Sequence, residues 1–255
     1  DSIDRENSYL TAAAMSGAGI RILRQDPWEM IITFVISQQK TIPNIRQLVE
    51  ALSSRYGTLL EDGQNRGNGE VREKDEVLGK EDDRGKANDR EKENDREKEN
   101  DPGRCLPPAC SFPAPSQLCL ASLDDLMGLK LGYRAKYIHR LCQDAVSGRL
   151  ELSHLSTLDY EGAMEYLTGF YGIGKKVANC VCLFGLHHID AFPVDTWIEK
   201  ILMEQYYDRK KYRRIPKNRL CETIVEDVFG RYSGCAGIMQ QYIFYYERSV
   251  RQGRE

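Results

Sequence analysis

Apolar residues recur at helical spacing through most of this chain. Ile45, Leu48, Val49, Leu52 and Tyr56 follow at i, i+3, i+4, i+7 and i+11, the stripe of an amphipathic helix. Thr41-Ile42-Pro43 opens that helix and Gly57 stops it. Upstream, Gln25-Asp26-Pro27-Trp28-Glu29 is a sharp helix start. Asp26 caps, Pro27 suits the first helical position, and Glu29 completes a capping box. The body that follows, MIITFVIS, is apolar nearly all round, which predicts a central buried helix. It ends in the polar cluster Gln38-Gln39-Lys40-Thr41, read either as an ordinary helix end or as a loop reaching into a ligand. Residues 8–24 read as a further, moderate helix.

The pattern resumes in the second half. Ser122 caps a short helix from Leu123 to Met127. A helix from Tyr133 carries Tyr137, Ile138 and Leu141 at core spacing and ends near Gly148. Others run from Tyr160 to Leu167, and from Lys175 with Val177, Val181 and Phe184 inward. After Asp195 another carries Trp197, Ile198, Ile201 and Leu202, and two more cover 218–230 and 237–251. No strand pattern occurs. The prediction is an all-α protein of about nine or ten helices with short connections.

Residues 61–117 break the pattern. Apolar side chains are nearly absent up to residue 104, and NDREKE repeats in tandem from 88 and 94. Such a composition cannot bury enough surface to fold. The stretch CLPPACSFPAPSQ after it is proline-rich and reads as extended. The expected organisation is one helical domain made of residues 1–60 and 118–255, interrupted by an unstructured insertion in a surface loop.

Charge sharpens this division. The formal net charge is -3, but residues 61–101 hold 16 acidic and 10 basic side chains, leaving 26 basic against 23 acidic elsewhere. A slightly basic globular part is compatible with DNA without identifying it. In RKKYRRIPKNR, residues 209–219, seven of eleven positions are basic. Two readings stand, a solvated loop or a contact with phosphates. No run of 18 apolar residues occurs, so no transmembrane helix is expected. Among eight cysteines there is no Cys-x-x-Cys pair and no tight group of four. Neither a zinc ribbon nor an iron–sulfur centre is expected, and the cysteines read as reduced packing residues. No cofactor and no metal is implied. The chain opens DSIDRENSYL, with no initiator Met and no signal pattern, and is expected to be a fragment or a trimmed form.

Candidate chemistry concentrates in LTGFYGIGKKVANCVCLFGLHHIDAFPVDTW, residues 167–197. Gly172 and Gly174 flank Ile173, where glycine permits positive φ and close approach of another backbone. The next helix starts at Lys175, so unpaired N–H groups leave its first turn and suit a phosphate. Lys176 sits in that turn. An ammonium is disfavoured at a helix N-terminus in a pocket that excludes water, and the neutral amine is a nucleophile. Asp195 lies 19 positions on, after Pro193 and Val194. Capping the next helix would account for an aspartate there. A second role is to stabilise positive charge on a sugar as its base departs. Gly-x-Gly with a nearby lysine is weak by itself, since such hairpins also serve binders that do no chemistry. Hairpin, amine and Pro-Val-Asp at this separation are more specific.

With these residues the sequence resembles the helix-hairpin-helix DNA glycosylases with a Gly/Pro…Asp signature, and most of all their 8-oxoguanine DNA glycosylase/AP lyase branch. Tyr171-Gly172-Ile173-Gly174-Lys175-Lys176-Val177-Ala178 matches the family hairpin, and Pro193-Val194-Asp195 the motif of its aspartate. The Gln25-Asp26-Pro27 start, the segment from Leu131 to Tyr137 and that from Ala236 to Phe244 also fit. The resemblance implies two helical subdomains flanking a cleft. It implies a Schiff-base lysine at Lys176 and a catalytic carboxylate at Asp195. Cys180, Gln240 and Phe244 would line the base pocket, Phe244 stacking on the purine and Gln240 bonding its Watson–Crick edge. Gln39 would fill the gap left by the flipped base, although this branch often has Asn there. Tyr133 and Arg134 would wedge and read the opposite strand, while Gly172, Gly174 and Lys175 would hold phosphate. Trp197 stands where some members have His. The branch also carries an N-terminal β-rich domain, whereas 25 residues precede Asp26 here. The implied partner is double-stranded DNA with a damaged base, met by a monomer away from membranes. The expected place is with DNA inside the cell, in the nucleoid or cytoplasm of a bacterium or the nucleus of a eukaryote. Two other readings are a monofunctional alkylpurine glycosylase, which needs Asp195 but no amine, and a hairpin module that only binds.

Overall fold

Helix start and stop chemistry sets the element order. The computed structural model describes residues 3–4, 7–60 and 109–252. In chain order the helices are α1 (Ser8–Ser16), α2 (Pro27–Ile36), α3 (Ile42–Tyr56), α4 (Pro115–Leu118), α5 (Leu123–Gly128), α6 (Arg134–Val146) and α7 (Leu152–Leu155). There follow α8 (Tyr160–Thr168), α9 (Lys175–Phe184), α10 (Thr196–Gln205), α11 (Arg209–Tyr212), α12 (Lys217–Phe229) and α13 (Ala236–Gln252). Nine of these thirteen have nine or more residues. The one β pairing among the described residues is an isolated antiparallel bridge between Leu59 and Cys110. No helix is long and apolar enough to cross a membrane among the described residues.

Two starts are capped as their residues dictate, although the capping box expected of Glu29 does not close. Asp26 accepts the Glu29 N–H at 2.9 Å, and Ser122 accepts that of Asp125 at 3.1 Å. The helix expected over 8–24 is shorter. It ends at Ser16, because Gly17 and Gly19 are poor helix formers, and residues 20–26 run on irregularly.

Two apolar clusters make the core. The larger one is built around α2, whose Trp28, Met30, Ile31, Ile32, Val35 and Ile36 are buried. It takes in α3, α6, α8 and most of α9. The smaller joins α10, α12 and α13 with α1, which comes back from the other end of the chain to supply Leu10 and Ala13. This is the two-subdomain arrangement implied by the resemblance. Seven described cysteines are free thiols, and Cys142, Cys180 and Cys182 are buried.

The boundary of the insertion is a correction. The insertion was expected to run to residue 117, but residues 109–117 already pack on the core. Phe112 packs on the larger cluster, and the Trp28 indole N–H donates to the Pro113 carbonyl at 3.0 Å. Leu60 N–H donates to Ala109 O, and Ser111 N–H to Thr58 O, each at 2.8 Å. These bonds bring residues 58–60 and 109–111 side by side, so a long stretch can leave and return without stretching the domain. The rest of the expected insertion, 61–108, lies outside the described residues.

Candidate active site

The hairpin between α8 and α9 begins with Gly169 and ends with Gly174. Gly172 has φ +93°, and a Cβ there would lie 2.4 Å from Tyr137 Cγ. Backbone and space both exclude any other residue. Gly174 does not need the left-handed region expected of it. Its φ is -93°, and an added Cβ would meet nothing within 4 Å. What Gly174 leaves is open space in front of α9. That helix has no side-chain cap and no acid in its first turn. Helices α2, α8 and α10, by contrast, are each capped by an aspartate. Free N–H groups, a positive dipole end and open space together suit an anion. Lys175 is turned aside at 2.5 Å from Glu222 Oε1 on α12.

Lys176 points the other way, into the seam between the two clusters. Its Nζ lies 3.0 Å from Ser37 Oγ and 5.2 Å from the centre of the Phe34 ring. That ring stacks on Phe184 at 5.6 Å, which fixes its face towards the amine. One turn along α9, Cys180 is buried yet belongs to neither apolar cluster. Burial pushes its thiol up to about 12, the Lys176 side chain opposes this with charge and a hydrogen bond, and the Asp195 carboxylate adds to it. All three groups therefore share one neighbourhood. The thiol is neutral at physiological pH, so it packs rather than attacks.

A pH prediction follows from the sign. Cys142, Cys180 and Cys182 are all pushed up to about 12 by burial from an ordinary 9. The folded state holds these protons more tightly than the unfolded chain. Their contribution is complete below pH 9 and is lost as pH rises towards 12. The thermal midpoint should fall steadily above pH 9. In the native protein, iodoacetamide at pH 8 should label Cys110 and Cys119 well before Cys180, as read by peptide mass spectrometry.

Asp195 caps α10. Its Oδ1 accepts the N–H groups of Trp197 at 3.0 Å and Ile198 at 2.8 Å. The capping role is thus real, and it aims the carboxylate without consuming its charge. The loop leading to it is stitched to α13. Gly237 N–H donates to Ile189 O at 2.7 Å, and a Cβ at Gly237 would lie 2.6 Å from that oxygen. Asp190 Oδ1 accepts the Gly234 N–H at 2.6 Å. Gln240 Nε2 donates to Pro193 O at 3.3 Å, while its Oε1 accepts from Gln241. Gln240 is buried, and Phe244 one turn on meets Trp197 edge to face at 5.2 Å. Trp197 therefore buttresses the ring that would stack on a base.

The residues expected at the opposite strand lie on the other rim. Gln39 is exposed and left-handed, with φ 54°, a conformation rare outside glycine and common at working sites. Tyr133 is exposed. Arg134 is 4 % exposed, with its guanidinium turned inward. Nε donates to Gln38 O at 2.9 Å, Nη2 donates to the same carbonyl, and Nη1 donates to Leu131 O at 3.3 Å. Three of its five N–H groups are thereby used, leaving two. Sequence reasoning missed Ser37, Phe34, Tyr137, Asp190 and the role of Gln38. Of these only Gln38 carried a signal, a polar residue closing a greasy helix.

No family model matches the chain. The N-glycosylase/DNA lyase of Saccharomyces cerevisiae is 27 % identical over 260 residues, covering 91 % of this chain and 58 % of that protein. A probable N-glycosylase/DNA lyase of Methanothermobacter thermautotrophicus is 32 % identical over 127 residues, covering 50 % and 38 %. The chain spans about half the length of the curated relatives it matches. Among solved structures, the 8-oxoguanine glycosylase/lyase of Clostridium acetobutylicum bound to duplex DNA superposes with a TM-score of 0.71 at 26 % identity, over 96 % of this chain and 68 % of that one. Fold, hairpin and these likenesses agree: the chain has the helix-hairpin-helix DNA glycosylase fold.

Proposed function

We propose that this protein is a bifunctional DNA glycosylase/AP lyase of base excision repair that removes 8-oxoguanine opposite cytosine. The observation that carries this is the convergence of the Lys176 amine, the buried Cys180 thiol and the Asp195 carboxylate at one seam. A monofunctional enzyme needs no amine there. The lesion is taken from likeness: the C. acetobutylicum structure holds DNA with cytosine opposite 8-oxoguanine.

The mechanism follows from the groups in place. The damaged nucleotide must leave the stack to reach the seam. Phe244, backed by Trp197, stacks on the purine, Gln240 bonds its Watson–Crick edge, and the neutral Cys180 packs on the other face. As the bond between base and sugar breaks, positive charge grows on the sugar, and Asp195 stabilises it. The Lys176 amine attacks the same anomeric carbon. The sugar ring opens to a protonated imine, a proton leaves the adjacent carbon, and the 3′-phosphate departs. Gly172, Gly174 and the first turn of α9 hold the backbone, with Lys175 beside them. Gln39 fills the vacated space, Tyr133 wedges the opposite strand, and Arg134 offers its two remaining N–H groups to the orphaned cytosine. One copy supplies every group, so a monomer suffices. The organisation of 1–60 and 118–255 as one catalytic unit belongs to the same proposal. Such an enzyme works on DNA inside the cell, in a nucleoid or a nucleus.

The test is a panel of duplexes with 8-oxoguanine opposite each base, with borohydride added to trap the imine. Strand cleavage with a covalent product, greatest opposite cytosine, is expected. Base release without cleavage would overturn the reading in favour of a monofunctional enzyme.

The basic segment 209–219 supplies a further prediction. Only Lys211 in it is held in an ion pair, with Asp227 at 2.9 Å, among the described residues. Arg213, Arg214 and Lys217 are exposed. Replacing these three by Ala should lower the slope of log K against log salt by about 3, and affinity at least roughly tenfold at moderate salt. An unchanged slope would make the segment a solvated loop.

A further inference from the structure

Three segments that the proposed function brings to DNA are tied together here through one residue that has no part in that mechanism. Gln38 follows the buried end of α2. Its backbone carbonyl accepts from Nε and Nη2 of Arg134. Its side-chain amide donates to the Gly172 carbonyl of the hairpin at 3.0 Å. On either side of it, Ser37 meets the Lys176 amine and Gln39 stands in the left-handed conformation. The return path is aromatic. The Arg134 guanidinium lies 4.5 Å over the Tyr133 ring, Tyr133 meets Tyr137 at 5.6 Å, and Tyr137 meets Tyr171 at 4.8 Å. Tyr137 also presses on Gly172. The result is a closed ring running Gln38, Arg134, Tyr133, Tyr137, hairpin and back to Gln38.

The ring has a physical consequence. Each contact in it is modest alone. A closed set of contacts is stiffer than its members, because a rotation at one fixes the others. Without the Gln38 amide the ring is open at the hairpin. The carbonyl of Gly172 shares its peptide plane with the Ile173 N–H, which donates to Phe170 O at 3.1 Å, so the bond also braces the turn of the hairpin. Gln38 is half-buried at the rim and fills no core space.

We propose that Gln38 is a positioning residue, whose side-chain amide locks the phosphate-holding hairpin to the wedge pair Tyr133 and Arg134, so that backbone anchoring and base extrusion occur in one register. This rests on the function proposed above. Extrusion is needed for a paired 8-oxoguanine but not at a site that has already lost its base. Losing the lock therefore slows excision far more than cleavage at a preformed abasic site. A uniform structural defect would slow both.

The experiment uses Gln38→Met, which keeps length and removes the donor, with Gln38→Glu as a second variant lacking that donor. Single-turnover excision of 8-oxoguanine opposite cytosine should fall roughly 10- to 50-fold, as expected for slight misplacement of reacting groups. Cleavage of an abasic duplex should stay within about threefold. Equal losses on both substrates, or loss on neither, overturn the proposal. Hydrogen exchange of the free protein is read in parallel and does not depend on the lesion. The Ile173 and Ala135 amides, on opposite sides of the ring, should both exchange about tenfold faster in Gln38→Met. Unchanged exchange overturns the lock even if the lesion is 8-oxoguanine. A wild type inactive on that lesion, with the exchange effect present, would overturn the assigned function and leave the lock standing.

Discussion

Lys176→Gln should abolish the borohydride-trapped protein–DNA species and lower strand cleavage by about 10³-fold or more, roughly 4 kcal/mol of barrier. Glutamine keeps a polar end near Ser37 Oγ, which the amine now meets at 3.0 Å, and places no new charge in the seam. The fold should barely notice. Lys176 is half-buried, and its stem leaves α9 towards Phe34 rather than into a core layer. Two measurements separate loss of the nucleophile from loss of binding. Affinity for a duplex with an uncleavable lesion analogue should change little, because the anchoring N–H groups of α9 are untouched. Trapping should vanish at every protein concentration. A variant that is trapped as well as wild type would place the nucleophile elsewhere, and the Cys180 environment would then need a different explanation.

How much of this was legible in the sequence depends on the range of the interaction. The stripe Ile45 to Tyr56 and the starts at Asp26 and Ser122 are local, set by neighbours three and four positions apart, and they formed where they were read. The Gly-x-Gly hairpin and Pro-Val-Asp were legible as motifs. Their common neighbourhood around Cys180 was legible only through resemblance, since periodicity says nothing about what meets across a cleft. Residues 109–117 were misread because proline-rich composition hid Phe112, which packs on the core, and a carbonyl that Trp28 needs. The inward turn of Arg134 was not legible either, because it is set by a tertiary partner 96 positions away at Gln38. The bond from Gln38 to Gly172 spans 134 positions, beyond any local pattern. The left-handed backbone at Gln39 was invisible as well, because nothing in the residue type demands it.

Asp195 offers the second large effect, and the contrast between two substitutions decides which of its roles matters. Asp195 Oδ1 accepts two backbone N–H groups at the start of α10, so removing the side chain unmakes a helix cap. Asp195→Ala should therefore cost about 1 kcal/mol of stability, the ordinary worth of a cap. Asp195→Asn keeps an acceptor oxygen in the same place and is a good cap itself, so its thermal midpoint should fall within a degree or two of wild type. Activity should behave differently. Both variants lose the negative charge that faces a developing oxocarbenium ion, and asparagine cannot take or return a proton. Excision of 8-oxoguanine should fall by about 10²- to 10³-fold in both, the usual size of one preorganised electrostatic contact. If capping were the whole role of Asp195, Asp195→Asn would retain near wild-type excision while Asp195→Ala lost it in step with stability. The pattern of a stable but inactive asparagine variant is the one that the chemistry at this seam requires. It also bears on the loop behind it. The Gly237 N–H and the side chains of Asp190 and Gln240 fasten residues 189–193 to α13 and the turn before it, so the carboxylate is aimed by a scaffold that neither substitution at Asp195 disturbs.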